Sequence, residues 1–213
     1  MMKPKLVLIA LTIASLFVTS CEKDDTAHVS KEVLVSYPGI ALNGDELIIL
    51  PVGGTYTEEG AVLTDDITGE TSALAPSSSD VNTAEPGLYI VLYTASNANG
   101  FETQVSRKVA VTDVTNTVNR AGDYLRPATG IDMTIEKEAE GVYKITNPGG
   151  AGIGTETVIY MVETAPNVYV APEQPTDVGT MALSNIEFGE AGGVTWIVLN
   201  VNYGPGPRAF TKL

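Results

Sequence analysis

The sequence contains one cysteine, Cys21, and one histidine, His28, so nucleophile-and-base or soft-metal chemistry has little to work with. A serine or cysteine nucleophile needs a base within hydrogen-bonding reach. His28 lies in the polar stretch 26–31, where no neighbour tunes its imidazole, and it reads as a solvated loop residue. Zinc fails for the same lack of ligands. Asp65 and Asp66, with Glu58 or Glu59 nearby in sequence, could offer hard oxygens to calcium at the tip of a β domain. No EF-hand spacing or repeated Asp-x-Asp pattern accompanies them, and hydrated loop carboxylates are the expectation. Two well-spaced acids would suffice for a glycosidase, yet none of the acidic residues lies in a recognisable motif. The run Pro148-Gly-Gly-Ala-Gly-Ile-Gly154 has glycines that let amides approach an anion, but it lacks the lysine and hydroxyl residue of a phosphate loop and also lacks dinucleotide-fold spacing. It reads as a flexible connection between strands. The expectation is a chain that is not an enzyme and carries no metal and no cofactor.

Carbohydrate binding is the chemistry left over. An aromatic face stacks on a sugar while amides and carboxylates bond its hydroxyls. The candidates are Trp196, Tyr124, Tyr160, Tyr169 and Tyr203. Trp196 lies among Val194, Ile197, Val198 and Leu199, which favours the core or its edge. Tyr169 and Tyr203 sit beside proline and glycine loops and are expected to be exposed. Tyr169, Tyr203 and Trp196 are the ligand-binding candidates.

The N-terminus determines where these residues would act. Lys3 and Lys5 precede an apolar run from Leu6 to Val18, followed by Thr19-Ser20-Cys21, which is the layout of a secretory signal. The run is shorter than the roughly 20 residues of a membrane span and is followed at once by Glu22, Lys23, Asp24 and Asp25. Val18-Thr19-Ser20-Cys21 resembles the lipobox at which bacterial lipoprotein precursors are acylated and cleaved, with Val18 and Ser20 as variants of the usual Leu and Ala or Gly. The resemblance implies palmitate-type acyl chains on Cys21, each buried methylene contributing about 0.8 kcal/mol to anchorage. The alternative is a free thiol behind an ordinary signal. Glu22 to Asp25 resembles the acidic signal that sends some Gram-negative lipoproteins to the cell surface; the alternative is a plain charged tether. The expected location is the outer membrane, lipid-anchored and exposed at the surface.

The formal net charge is −14, which repels nucleic acid and anionic headgroups. Short β-favouring runs alternate with turn clusters: Glu46 to Leu50, Gly60 to Leu63, Gly87 to Thr94 and Gln104 to Val111. In the third run Leu88, Ile90 and Leu92 face one way and Tyr89, Val91 and Tyr93 the other, so both faces must be covered. In the fourth, Arg107 shares a face with Val105, Val109 and Val111, which suggests a strand leaving the core partway. Farther on, Ile131, Met133 and Ile135 alternate toward a turn at Ala139-Glu140-Gly141, and Tyr143 and Ile145 alternate after it, as in a hairpin. Thr157 to Val162, Val168 to Val170 and Val194 to Val201 read as further strands.

The expected organisation is all-β: a lipoprotein signal over 1–20, a lipidated tether over 21–35, a β-sandwich over 36–113, immunoglobulin-like by the resemblance that follows, and a second antiparallel β domain, sandwich or barrel-like, over 114–213. The motifs Ile40-Ala-Leu-Asn-Gly44, Val52-Gly-Gly-Thr-Tyr-Thr-Glu-Glu-Gly-Ala61, Asp65-Asp66, Pro86-Gly-Leu-Tyr89, Asn99-Gly100 and Val109-Ala-Val111 together resemble the bacterial Ig-like surface domain, from about Tyr37 to Asp113. That resemblance implies a seven-stranded sandwich. Gly122-Asp-Tyr124, Gly141-Val-Tyr143-Lys-Ile145, Thr195-Trp196 and the Gly204 to Leu213 segment resemble the C-terminal domain of small surface lipoproteins found beside glycan importers of gut bacteria (Sus-like systems). Two readings follow. One is an accessory to polysaccharide capture, anchored at Cys21 with an outer-membrane importer complex as its partner. The other is an adhesion or envelope module that binds protein and has no sugar site.

Overall fold

The computed structural model describes residues 35–115 and 117–213. The signal, Cys21 and His28 lie outside the described residues. Seven strands come first: β1 Gly39–Leu42, β2 Leu47–Leu50, β3 Ala61–Thr64, β4 Thr71–Leu74, β5 Ser78–Ser79, β6 Gly87–Ser96 and β7 Glu102–Val111. They form two sheets, β1-β3-β4 and β2-β7-β6-β5, antiparallel throughout except for the parallel pair β2 and β7. Ala61, Val91, Tyr93, Val109 and Val111 fill the space between the sheets. Asn97 to Gly100 turns β6 into β7: the Asn97 side chain accepts from the amides of Asn99 and Phe101, and Gly100 adopts φ 83°.

Arg107 corrects one expectation. It is only 1 % exposed and stays in the sandwich, because Glu58 meets its Nη1 there. Its Nε donates to the Asp45 carbonyl at 2.9 Å and its Nη2 to the Asn43 carbonyl. Glu58 also accepts from the Tyr56 and Tyr93 hydroxyls and from the Gly60 amide. A charge this fully bonded can sit among valines where an unpaired one could not.

Eight strands follow: β8 Gly122–Arg126, β9 Ile131–Ala139, β10 Val142–Thr146, β11 Val158–Ala165, β12 Val168–Gln174, β13 Met181–Phe188, β14 Val194–Leu199 and β15 Arg208–Lys212. They close into an antiparallel barrel in which β15 returns to pair with β8. Strand alternation sends Tyr124, Met133, Ile135, Tyr143, Ile145, Ile159, Met161 and Trp196 inward, so the interior is packed side chain rather than channel. Where β11 and β12 diverge, the fully buried Gln174 takes over the ladder: its Oε1 accepts from the Tyr160 amide and its Nε2 donates to the Tyr160 carbonyl, both at 2.8 Å.

The outward residues of β10 to β12 are also apolar, which explains the unbroken run Val158-Ile-Tyr-Met-Val162. Val142, Tyr160 and Val162 pack against Leu88 and Ala110, with Leu47 and Ile90 partly buried alongside. This is the second covered face that the β6 pattern required. Burying one such aliphatic side chain stabilises by about 1.5–3 kcal/mol, so the seam fixes sandwich to barrel. At one end of the seam the Thr112 hydroxyl donates to the Glu163 carbonyl at 2.7 Å.

Candidate functional site

Alternation along β7 sets the floor of a cleft beside this seam. Val105, Arg107 and Val109 turn into the sandwich, so Glu102, Gln104, Ser106 and Lys108 face the barrel. The opposite wall is the β12–β13 connection from Pro175 to Thr180, and the space between has a volume of about 660 Å³. Thr176 and Gly179 exchange backbone bonds at 3.2 Å, with Gly179 at φ 92°. Asn200 Nδ2 donates to the Val178 and Thr180 carbonyls at 3.1 and 2.8 Å, and Asn202 Nδ2 donates to the Val178 carbonyl at 3.0 Å. Asp177 accepts from the Thr157 hydroxyl at 2.6 Å, which fixes its carboxylate at the rim. Lys108 pairs with Glu46 and lies 5.5 Å from the centre of the Tyr160 ring.

A second recess of about 540 Å³ shares Gln104, Pro175 and Thr180 with the first and adds Ser78, Ser79, Asp80 and Glu173 over an apolar floor of Ile90, Leu92 and Pro172. Together the two line a groove with hydroxyls, an amide and an excess of carboxylates. Such a surface exchanges hydrogen bonds with a neutral polyhydroxylated chain and repels an anionic one.

The three aromatic candidates lie elsewhere. Trp196 is 0 %, Tyr169 9 % and Tyr203 8 % exposed, which overturns the expected exposure of the tyrosines. Barrel interiors need large side chains, and each of these rings finds a polar partner inside. Trp196 Nε1 donates to the Pro148 carbonyl at 2.8 Å, and the Tyr203 hydroxyl donates to the Ile153 carbonyl at 3.0 Å. Tyr169 accepts from Arg120 Nε at 3.0 Å, with its ring 4.9 Å from that of Phe188. Tyr124, also buried, donates to the Arg120 carbonyl, and burial pushes its hydroxyl up to about 12. No stacking platform forms from these rings, and the groove residues carry no aromatic signal that the sequence could have revealed. Only closure of the barrel beside β7 brings Glu102 and Gln104 to Asp177 and Thr180.

The acidic residues at the sandwich tip do not converge. Asp65 accepts from the Ile67 and Thr68 amides at 2.9 and 2.7 Å, bonds that hold it below the usual carboxylate range, and Asp66 accepts from Asn97 at 3.0 Å. Glu58 is committed to Arg107. Among the described residues no group of three or more His, Cys, Asp or Glu gathers.

The glycine-rich run closes the barrel end that carries the β8–β9, β10–β11, β12–β13 and β14–β15 connections. A Cβ at Gly149 would collide with the Tyr203 ring, and one at Gly150 would meet Phe210 at 2.5 Å, so the loop lies directly on the core. Arg126 and Arg208 border it. Arg208 Nη1 donates to the Gly149 carbonyl at 3.0 Å, and its guanidinium lies 5.0 Å from the centre of the Tyr203 ring.

Residues 40–111 match a family model described as bacterial surface protein, Ig-like domain. A crystal structure of a lipoprotein from Bacteroides thetaiotaomicron is similar at 22 % identity over 81 % of this chain and 97 % of that one, with a TM-score of 0.34. Comparison with curated proteins returns no match. Strands β1 to β7 thus form an Ig-like domain similar to those of bacterial surface proteins, joined to an eight-stranded barrel.

Proposed function

We propose that this protein is a non-catalytic lipoprotein, held in the outer membrane by acyl chains on Cys21 and displayed at the cell surface, where it captures polysaccharide for an importer. The observation that carries the reading is the polar groove between sandwich and barrel, kept open by an apolar seam rather than by a mobile linker. The Ig-like match over 40–111 supports the surface location, and the lipobox-like Val18 to Cys21 supports the anchor. The groove replaces Tyr169, Tyr203 and Trp196 as the ligand surface, and hydroxyl and amide contacts replace ring stacking.

The test is retention of the mature chain on gels carrying neutral polysaccharides. Gln104→Ala and Asp177→Ala each remove a polar contact of about 1–2 kcal/mol and are expected to weaken binding roughly tenfold. Uniform lack of retention across a broad neutral panel overturns the capture role. Mass spectrometry of the mature N-terminus tests the anchor separately: an unmodified cysteine there removes it.

A second reading, an adhesion module, is favoured by the open edges of β4 and β5, since a bare strand edge accepts a partner strand. Cross-linking in intact cells separates the two: an importer as neighbour favours capture, and a host or envelope protein favours adhesion.

A further inference from the structure

The barrel end closed by the glycine-rich loop carries chemistry that the groove does not use. Tyr124 and Phe210 point into the core, and Arg126 and Arg208 lie two positions away on the same strand faces, so alternation draws both guanidiniums toward the barrel mouth. Their Nη1 atoms stand 3.5 and 3.0 Å from one acceptor, the Gly149 carbonyl oxygen, and so are no more than 6.5 Å apart. Arg126 Nη1 also reaches the Gly150 carbonyl at 3.3 Å.

We propose that Arg126 and Arg208 bind an oxyanion, a sulfate, phosphate or carboxylate group borne by a larger ligand, at the mouth of the barrel. Three observations converge on this site. First, the ion pairs formed among the described residues leave Arg126 and Arg208 without a carboxylate, as they leave Arg120 and Lys212, although the chain carries a net charge of −14, and Arg126 and Arg208 are the two that share one acceptor. Second, the Nε of both arginines is buried with no acceptor among the described residues. Third, the backbone that lies against them is glycine: a Cβ at Gly150 would come within 2.9 Å of Arg126 Cδ, so this close approach excludes a side chain.

Two like charges held this close repel, and loop carbonyls neutralise neither. A doubly charged or bidentate oxyanion removes the repulsion and supplies the acceptors that the planar guanidinium forks lack. Burial and the Arg126 charge both pull Arg208 below its ordinary value, as a site short of negative charge should. The site is chemically opposite to the groove, whose carboxylates exclude anions.

The experiment titrates the mature chain with sodium sulfate, phosphate and acetate against sodium chloride at matched ionic strength, following heat and melting temperature. The expected result is a saturable rise in melting temperature with one site per chain. Arg126→Gln should weaken it at least tenfold, and Arg208→Lys should weaken it through loss of the fork. Arg126 is the less buried of the two, so its variant keeps the test decisive if Arg208→Lys fails to fold. Competition by a sulfated but not a desulfated oligosaccharide assigns the group to a glycan, and competition by vesicles of anionic phospholipid assigns it to a headgroup. Absence of any saturable shift beyond chloride overturns the proposal, as does an Arg126→Gln variant that binds sulfate, phosphate and acetate like the parent chain.

Discussion

The sandwich core and the barrel mouth each hold arginine, and they treat it in opposite ways. Inside the sandwich every nitrogen of Arg107 has an acceptor, one of them the Glu58 carboxylate, which two tyrosine hydroxyls and an amide bond in turn. At the barrel mouth Arg126 and Arg208 share the carbonyls of a single loop and keep donors spare. The difference separates a charge built into a core from charges held ready for something outside it. A saturated ion pair adds rigidity and can bind nothing more, whereas an unsaturated pair leaves part of its interaction energy for a ligand.

The strongest way to break this comparison is Glu58→Ala. It leaves the Arg107 charge buried without a counter-charge and is expected to cost about 3–5 kcal/mol, read by urea denaturation followed in parallel by tryptophan fluorescence and circular dichroism. A loss below about 1 kcal/mol would show that the Asn43 and Asp45 carbonyls alone can hold the guanidinium, and the contrast would collapse. Gly149→Ala comes next: the added methyl meets Tyr203 and should cost about 1–3 kcal/mol by overpacking, with the melting temperature as readout. Arg126→Gln should change stability by no more than about 1 kcal/mol, since it removes a like-charged neighbour along with two weak bonds. A loss as large as that of Glu58→Ala would make the mouth arginines structural.

The smallest effect concerns a charge pair at the surface. Lys137 first, then the Thr117 hydroxyl and amide, hold Glu140 down to about 2 from its usual 4.5. A carboxylate depressed on folding stabilises above its unfolded value, and the contribution fades as pH falls from about 4.5 through about 2. Glu140→Gln should therefore flatten the pH dependence of unfolding in that window and lower neutral stability by the same small amount that the slope carried. An identical slope in both chains would remove this role from the Thr117–Glu140 contact.

Much of the architecture could be read from residue alternation, and its failures have local causes. Leu88 and Ile90 opposite Tyr89, Val91 and Tyr93 announced two covered faces, but the covering residues Val142, Tyr160 and Val162 belong to another part of the chain that no local pattern connects to them. Strand β13 leaves no clear alternation because Ser184-Asn185 interrupts it, with Asn185 at φ 52° where the β14 pairing slips. The loop beside Tyr169 suggests exposure, yet its neighbour Val168 is the residue that alternation turns outward. Arg107 looked like an exit from the core because a polar letter carries no record of Glu58, 49 positions earlier. The groove had no motif to find, and at the mouth the glycine run Pro148 to Gly154 was legible while the two arginines that meet it were not. Both are made by closure, which juxtaposes ordinary residues from distant strands.

That closure has a consequence for how the chain matures. The ladder that shuts the barrel joins Leu125 with Thr211 and Tyr124 with Lys212, short in itself and the most distant pairing in sequence that the barrel contains. Contacts of such separation form late and slowly. Until they do, β8 and β15 present naked borders to any neighbouring polypeptide. Slow closure lengthens the interval in which two copies can pair edge to edge, so a refolding yield that falls as chain concentration rises is its expected sign.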